Sequence, residues 1–123
     1  MSMTVLTVDD SRTMREMLRL ALADAGFLVV QAEDGVHGLE VLQAQAEAPQ
    51  VIVTDINMPR MDGFGFIEEV RGDPQYRGLP ILVLTTESDA EKKNRARMAG
   101  ATGWIVKPFN PVKLVDAIRR VAA

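Results

Sequence analysis

Cysteine is absent from this 123-residue chain, which excludes disulfides and thiolate metal sites and gives no sign of a secreted, cross-linked scaffold. Histidine occurs once. His37 falls at a predicted helix start with no partner in view, and is read as a surface residue rather than a catalytic one. No apolar run approaches the ~20 residues needed to span a bilayer. The opening Met1-Ser2-Met3-Thr4 lacks the basic stretch and long apolar segment of a leader, so a cytoplasmic location is expected. Positive charge is not in excess: the formal net charge is −3, which predicts no general attraction to nucleic acid or an anionic membrane. What remains is ordinary for a globular protein, with 47% hydrophobic and 25% charged residues. The length fits one domain, 1–123, large enough to bury a core, and no output domain is expected.

Short apolar runs alternate with amphipathic stretches, the pattern of a parallel α/β sheet. The runs are Thr4–Val8, Phe27–Val30, Val51–Thr54, Ile81–Leu84 and Trp104–Val106. Ser11 is placed to cap a first helix carrying Met14, Met17, Leu18, Ala21, Leu22 and Ala25 at helical spacing, stopped by Gly26. Asp34-Gly35 opens a second helix with Val36, Leu39, Leu42 and Ala46 on its apolar face, and Pro49 ends that segment. Asp62-Gly63 opens a third that buries Phe64, Ile67 and Val70. The segment from Ser88 to Ala99 reads as a helix with only Ala90, Ala96, Met98 and Ala99 to bury, and should be among the easier elements to shift. A last helix starts near Pro111 and presents Leu114, Val115, Ile118 and Val121.

Chemistry collects just past the runs. Asp9 and Asp10 follow the first, Asp55 the third, Thr85 and Thr86 the fourth, and Lys107 the fifth. In a parallel sheet all these strand ends share one edge, where ligands of open α/β folds bind. Like charges about 4 Å apart repel by several kcal/mol near a protein surface, so three converging acids call for a cation. Mg²⁺ fits, since it takes oxygen ligands from one or two carboxylates and keeps several waters. Asp9 and Asp10 are the natural ligands and Asp55 could share the ion. The free Asp55 oxygen could then attack phosphorus to form an aspartyl phosphate. Lys107 supplies fixed charge for the phosphoryl oxygens and Thr85 a hydroxyl donor.

Any one acid after a strand can be a turn former or helix cap; the whole set in register argues for a site. A calcium loop starting at Asp55 is rejected, because Gly is missing at its sixth position and Phe66 stands at the twelfth. Asp55-Ile56-Asn57 lacks the second Asp of haloacid-dehalogenase-type phosphatases. Gly63-x-Gly65 is followed by Glu68 rather than Gly, against a dinucleotide site. The Lys92, Lys93, Arg95 and Arg97 run reads as a solvated face beside the elements expected to move.

At these residues the chain closely resembles the receiver domains of two-component response regulators. The matching pieces are Val8-Asp9-Asp10-Ser11, Asp55 through Gly63, Leu84-Thr85-Thr86-Glu87 and Lys107-Pro108-Phe109, in order along nearly the whole chain. The resemblance implies a flavodoxin-like (βα)5 three-layer sandwich, a five-stranded parallel sheet in the order 2-1-3-4-5. It implies that Asp55 is the phosphoacceptor, that Mg²⁺ is held by Asp9, Asp10, Asp55 and the Asn57 backbone carbonyl, and that Lys107 pairs with the phosphoryl group. Thr85 takes the position of the switch hydroxyl and Trp104 that of the switch aromatic, expected to swing from exposed toward buried. The usual donor in this family is a phosphohistidine on a sensor kinase.

Asn57 and Glu87 stand where relatives tune self-dephosphorylation. That pair, the Trp104 position and the lack of an output domain resemble the single-domain chemotaxis regulators of the CheY type. The resemblance then implies a CheA-like histidine kinase, the flagellar motor switch as target of the face built from the fourth helix, fifth strand and last helix, a phosphatase as a further partner, and a monomer. Thr86 and Glu87 join Trp104 as switch or partner residues. Such a protein is no enzyme beyond catalysing its own phosphorylation and dephosphorylation. A phosphate sink or phosphorelay shuttle, a Mg²⁺-dependent small-molecule phosphatase, and a binding module that keeps the fold without phosphorylation remain the alternatives.

Overall fold

A computed structural model describes residues 3–123; Met1 and Ser2, where the leader reading begins, lie outside the described residues. Strands β1 (Thr4–Val8), β2 (Leu28–Ala32), β3 (Val51–Thr54), β4 (Ile81–Thr85) and β5 (Gly103–Val106) alternate with helices α1 (Arg12–Asp24), α2 (Gly35–Ala44), α3 (Gly63–Gly72), α4 (Ala90–Ala99) and α5 (Pro111–Ala122). All pairings are parallel, in the order β2-β1-β3-β4-β5. The flavodoxin-like order implied by the resemblance is the observed one. No helix among the described residues is long and apolar enough to cross a membrane.

Alternation along the strands sends side chains into two cores, one on each face of the sheet. Leu6, Ile52, Ile81 and Val83 meet Leu42 of α2, Phe66, Ile67 and Val70 of α3, and Ala96 of α4. Val5, Val53, Leu82 and Leu84 meet Leu18 and Leu22 of α1 and Leu114, Val115 and Ile118 of α5. Burying each Leu or Ile contributes roughly 1.5–3 kcal/mol, so the sheet is held from both sides. Helix starts are set locally. Ser11, Asp34, Asp62, Asp89 and Asn110 each accept a backbone N–H of the first helical turn through a side-chain oxygen.

The packing corrects several sequence expectations. β2 begins at Leu28 and runs to Ala32, because its ladder follows β1 to the site edge. Met17 is 48% exposed, since the buried stripe of α1 is the narrower Leu18–Leu22 pair and Met17 lies a hundred degrees around the helix. Ala46 lies past the end of α2 and is exposed. In α4 only Ala96 is buried, while Ala90 is exposed and Met98 is 80% exposed. That helix docks through a single narrow strip, with the Arg95 guanidinium 4.1 Å from the centre of the Phe64 ring.

One buried side-chain polar atom among the described residues lacks a hydrogen-bond partner, the Thr7 hydroxyl near the carboxyl end of β1. An orphaned buried hydroxyl costs about 1–3 kcal/mol. Thr7→Val keeps the branched shape and removes that oxygen, so chemical denaturation should show a gain of about 1 kcal/mol with an unchanged denaturant slope. A loss of stability would mean that the hydroxyl has a partner after all.

Candidate functional site

Ladder hydrogen bonds continue past the strand ends and place the chemical residues directly. The Asp9 N–H donates to the Ala32 carbonyl at 3.1 Å, Asp55 N–H to Val8 at 2.9 Å and Lys107 N–H to Thr85 at 2.8 Å. Residues from β1, β3 and β5 therefore stand side by side at the carboxyl edge. Carboxylate oxygens of Asp9, Asp10 and Asp55 lie within 4.8 Å of one another. Asp9 and Asp55 are buried and Asp10 is exposed.

Lys107 sits between the two buried acids. Its Nζ lies 2.9 Å from Asp9 Oδ2 and 2.7 Å from Asp55 Oδ2, and both pairs are largely shielded from solvent. The other oxygens are also engaged: Asp9 Oδ1 accepts the Ser11 N–H at 2.9 Å and Asp55 Oδ1 the Ile56 N–H at 2.6 Å. Burial pushes the Asp9 carboxyl above its usual range, against the pull of Lys107 and the Ser11 amide. Burial also works against the Lys107 ammonium, yet hydrogen bonds to Asp55 and Asp9 outweigh it and raise its pKa. The two directions are compatible, because one ammonium shared by two carboxylates cannot fully compensate the more deeply buried one.

The all-oxygen donor set, with one exposed member open to water, suits a hard cation that retains part of its hydration, such as Mg²⁺. Asp9, Asp10 and Asp55 are the groups that could hold it.

Hydrogen bonds lead outward from this cluster. The buried Thr85 hydroxyl accepts the Glu87 N–H at 3.3 Å. The Glu87 carbonyl in turn accepts the indole N–H of Trp104 at 3.1 Å. The Glu87 carboxylate, held below the usual range by the Asn57 amide and Lys92, is 3.1 Å from each of them. Of the expected switch residues, Glu87 thus joins Thr85 to Trp104, whereas Thr86 simply faces solvent. Trp104 is already half-buried and tethered, not exposed, because its N–H finds an acceptor only by lying against the β4–α4 loop. His37 likewise has a partner: its Nδ1 accepts the Glu33 N–H at 3.1 Å beneath the half-buried ring.

Sequence reasoning missed two basic residues around the site. Arg15 of α1 donates from Nη1 to the Asp9 carbonyl at 2.8 Å. Arg60, in the loop between β3 and α3, grips Asp34 with Nε at 2.8 Å and Nη2 at 3.1 Å. The partners lie 26 positions apart, and no local pattern announces such a pair. Burial raises the Asp34 pKa, but the Arg60 hydrogen bonds and the His37 amide more than reverse that and hold it low.

A lowered carboxyl pKa stabilises the fold above the unfolded value of about 3.9, and that contribution disappears as pH falls through the folded pKa. Asp34→Asn keeps the helix cap without the charge. Its stability deficit against the wild type should therefore be full near pH 6 and shrink as the pH falls below about 4 in urea titrations. A deficit independent of pH would sink this assignment.

Comparison with known proteins agrees with this geometry. A family model of the response regulator receiver domain matches residues 5–119. Chemotaxis protein CheY1 of Helicobacter pylori is 39% identical over 120 residues, covering 97% of this chain and 96% of that protein. The sensor histidine kinase CheAY of the same organism contains a stretch 34% identical over 116 residues, covering 94% of this chain and 14% of the kinase. The high-resolution structure of the chemotaxis response regulator CheY4 of Vibrio cholerae superposes with a TM-score of 0.91 at 46% identity, covering 98% of this chain and 99% of that one.

Proposed function

This chain belongs to the response regulator receiver family, and from that footing we propose that it is a phosphorylation-operated chemotaxis switch whose acceptor is Asp55. The donor is a phosphohistidine on a CheA-like histidine kinase, and the target is the flagellar motor switch. The observation that carries the reading is Lys107 ion-paired to both Asp9 and Asp55 at the sheet edge. Names of relatives over the full chain add chemotaxis. A related stretch within a histidine kinase supports that class of donor.

In the reaction, an Asp55 oxygen bonds to phosphorus as the bond from phosphorus to the donor nitrogen breaks. The electron pair of that bond stays on the departing imidazole, which leaves neutral because its other ring nitrogen carries a proton. Lys107 already contacts the reacting carboxylate and can turn its ammonium to the phosphoryl oxygens. When bound through Asp9, Asp10, Asp55 and the Asn57 carbonyl, Mg²⁺ supplies the remaining positive charge for those oxygens.

Phosphorylation adds about −1.5 to −2 charge beside Thr85. A Thr85 hydroxyl turned toward that charge draws on the Glu87 N–H it now accepts, and Glu87 draws on Trp104. The route ends on α4, β5 and α5. Between α4 and β5 a groove of about 280 Å³, lined by Lys93, Asn94, Arg97 and Trp104 among others, lies away from the acids and suits a partner rather than chemistry. A tenfold change in partner affinity needs only ~1.4 kcal/mol between the two states.

Intact-mass measurement after incubation with acetyl phosphate and Mg²⁺ tests the proposal. One labile phosphate per chain that EDTA prevents is the expected result, with a shift in emission of the single tryptophan. Turnover of acetyl phosphate with no accumulating adduct would favour a phosphatase instead.

A further inference from the structure

We propose that the Asp34–Arg60 ion pair is a positioning device for the metal site, holding the β3–α3 loop in the backbone conformation from which Asn57 serves the acid cluster. The inference rests on the Mg²⁺ reading above and adds residues from outside the cluster to it.

Arg60 has φ 64°, the left-handed region that a residue with a Cβ enters only under constraint. Such strain persists where the surroundings over-determine it, and it gathers at functional loops. Here the constraint is visible. The guanidinium grips both Asp34 oxygens in a two-pronged arrangement, at 2.8 and 3.1 Å. Asp34 is only 3% exposed and is fixed in turn by the His37 N–H at 2.8 Å. Next to it the Gly35 N–H donates to the Met61 carbonyl at 3.1 Å. A Cβ on Gly35 would fall 2.7 Å from Met61, so the two backbones approach as closely as glycine allows.

The other end of the loop is anchored to the nucleophile. The Ile56 N–H donates to Asp55 Oδ1 at 2.6 Å, and the Ile56 carbonyl accepts the Gly63 N–H at 2.8 Å. Asn57 lies between these two clamps, two positions from Asp55 and three from Arg60. A segment this short, held at both ends, keeps few backbone conformations, and loosening one clamp restores others. An ordered carbonyl binds a cation without first losing that freedom, so the pair acts on metal affinity through preorganisation.

Three variants test this by calorimetric titration with Mg²⁺ at neutral pH, alongside thermal unfolding in EDTA. Arg60→Gly permits the left-handed backbone but removes the grip. Arg60→Gln removes the charge, and Asp34→Asn keeps the cap without its charge. Each should weaken Mg²⁺ binding about threefold to tenfold, and Asp34→Asn with Arg60→Gln together should be no weaker than the worse single change. Variants that bind Mg²⁺ within about 1.5-fold of the wild type would overturn the proposal and leave the pair purely structural, whatever the EDTA midpoints show. A wild-type chain that binds no Mg²⁺ would instead overturn the metal reading itself, and this inference with it.

Discussion

Asp55→Asn is expected to abolish phosphoryl uptake. The change is nearly isosteric, so the fold should persist, and an amide oxygen lacks the negative charge that attacks phosphorus. No neighbour can substitute. Asp9 makes the same kind of contacts as Asp55, one oxygen on the Ser11 N–H and the other on Lys107, but it lies deeper, 1% exposed against 8%. Asp10 is exposed and receives no contact from Lys107. Only Asp55 combines the Lys107 contact, the Ile56 amide and a place just past the end of the central strand β3, flanked by β1 and β4. With acetyl phosphate and Mg²⁺, the intact mass of the variant should stay unmodified under conditions that convert the wild type. Circular dichroism confirms that the fold is intact. An adduct forming on the variant at the wild-type rate would move the nucleophile elsewhere, and peptide mapping would find it.

Lys107→Met should have the second large effect, on stability. Removing one partner of a buried ion pair costs about 3–5 kcal/mol, because the other charge is left uncompensated. Here two carboxylates would be left, Asp9 and Asp55, with side chains about as shielded as that of Lys107 itself. Part of the cost is recovered by protonation, toward which the Asp9 carboxyl is already displaced by burial. In EDTA the variant should therefore lose about 3 kcal/mol, or roughly 10 °C in thermal midpoint. Mg²⁺ should restore more stability to the variant than it adds to the wild type, since the cation then replaces the missing ammonium. An unchanged midpoint in EDTA would mean that Lys107 is not holding these carboxylates.

Both predictions concern residues that the amino-acid sequence alone makes legible. Strand ends in a parallel sheet share an edge, so the acids after Val8 and Thr54 and the lysine after Val106 had to converge once the runs were recognised as strands. Local rules likewise located the cap at Ser11 and the helix starts at Asp34-Gly35 and Asp62-Gly63, because an N-cap is satisfied by amides within three residues. The strand order came from likeness to the receiver family, since hydrophobic pattern says nothing about which strands neighbour each other. Residue pattern therefore reached what depends on the period of an element and on contacts within a turn or two.

Tertiary packing decided the rest. Met17 and Met98 fit a helical apolar stripe yet face solvent, because the width of a stripe depends on how closely the helix docks. The indole of Trp104 has its acceptor 17 positions away on Glu87, and Arg60 has its partner 26 positions away on Asp34. Neither contact leaves a periodic trace in the chain: Trp104 on β5 meets the loop that follows the adjacent strand β4, and Arg60 meets Asp34 because β2 and β3 flank β1. The residues proposed to do the chemistry follow from where strands end. The contacts that brace them, and the hydrogen bonds that lead from them to the outer face, follow from which segments meet in the fold.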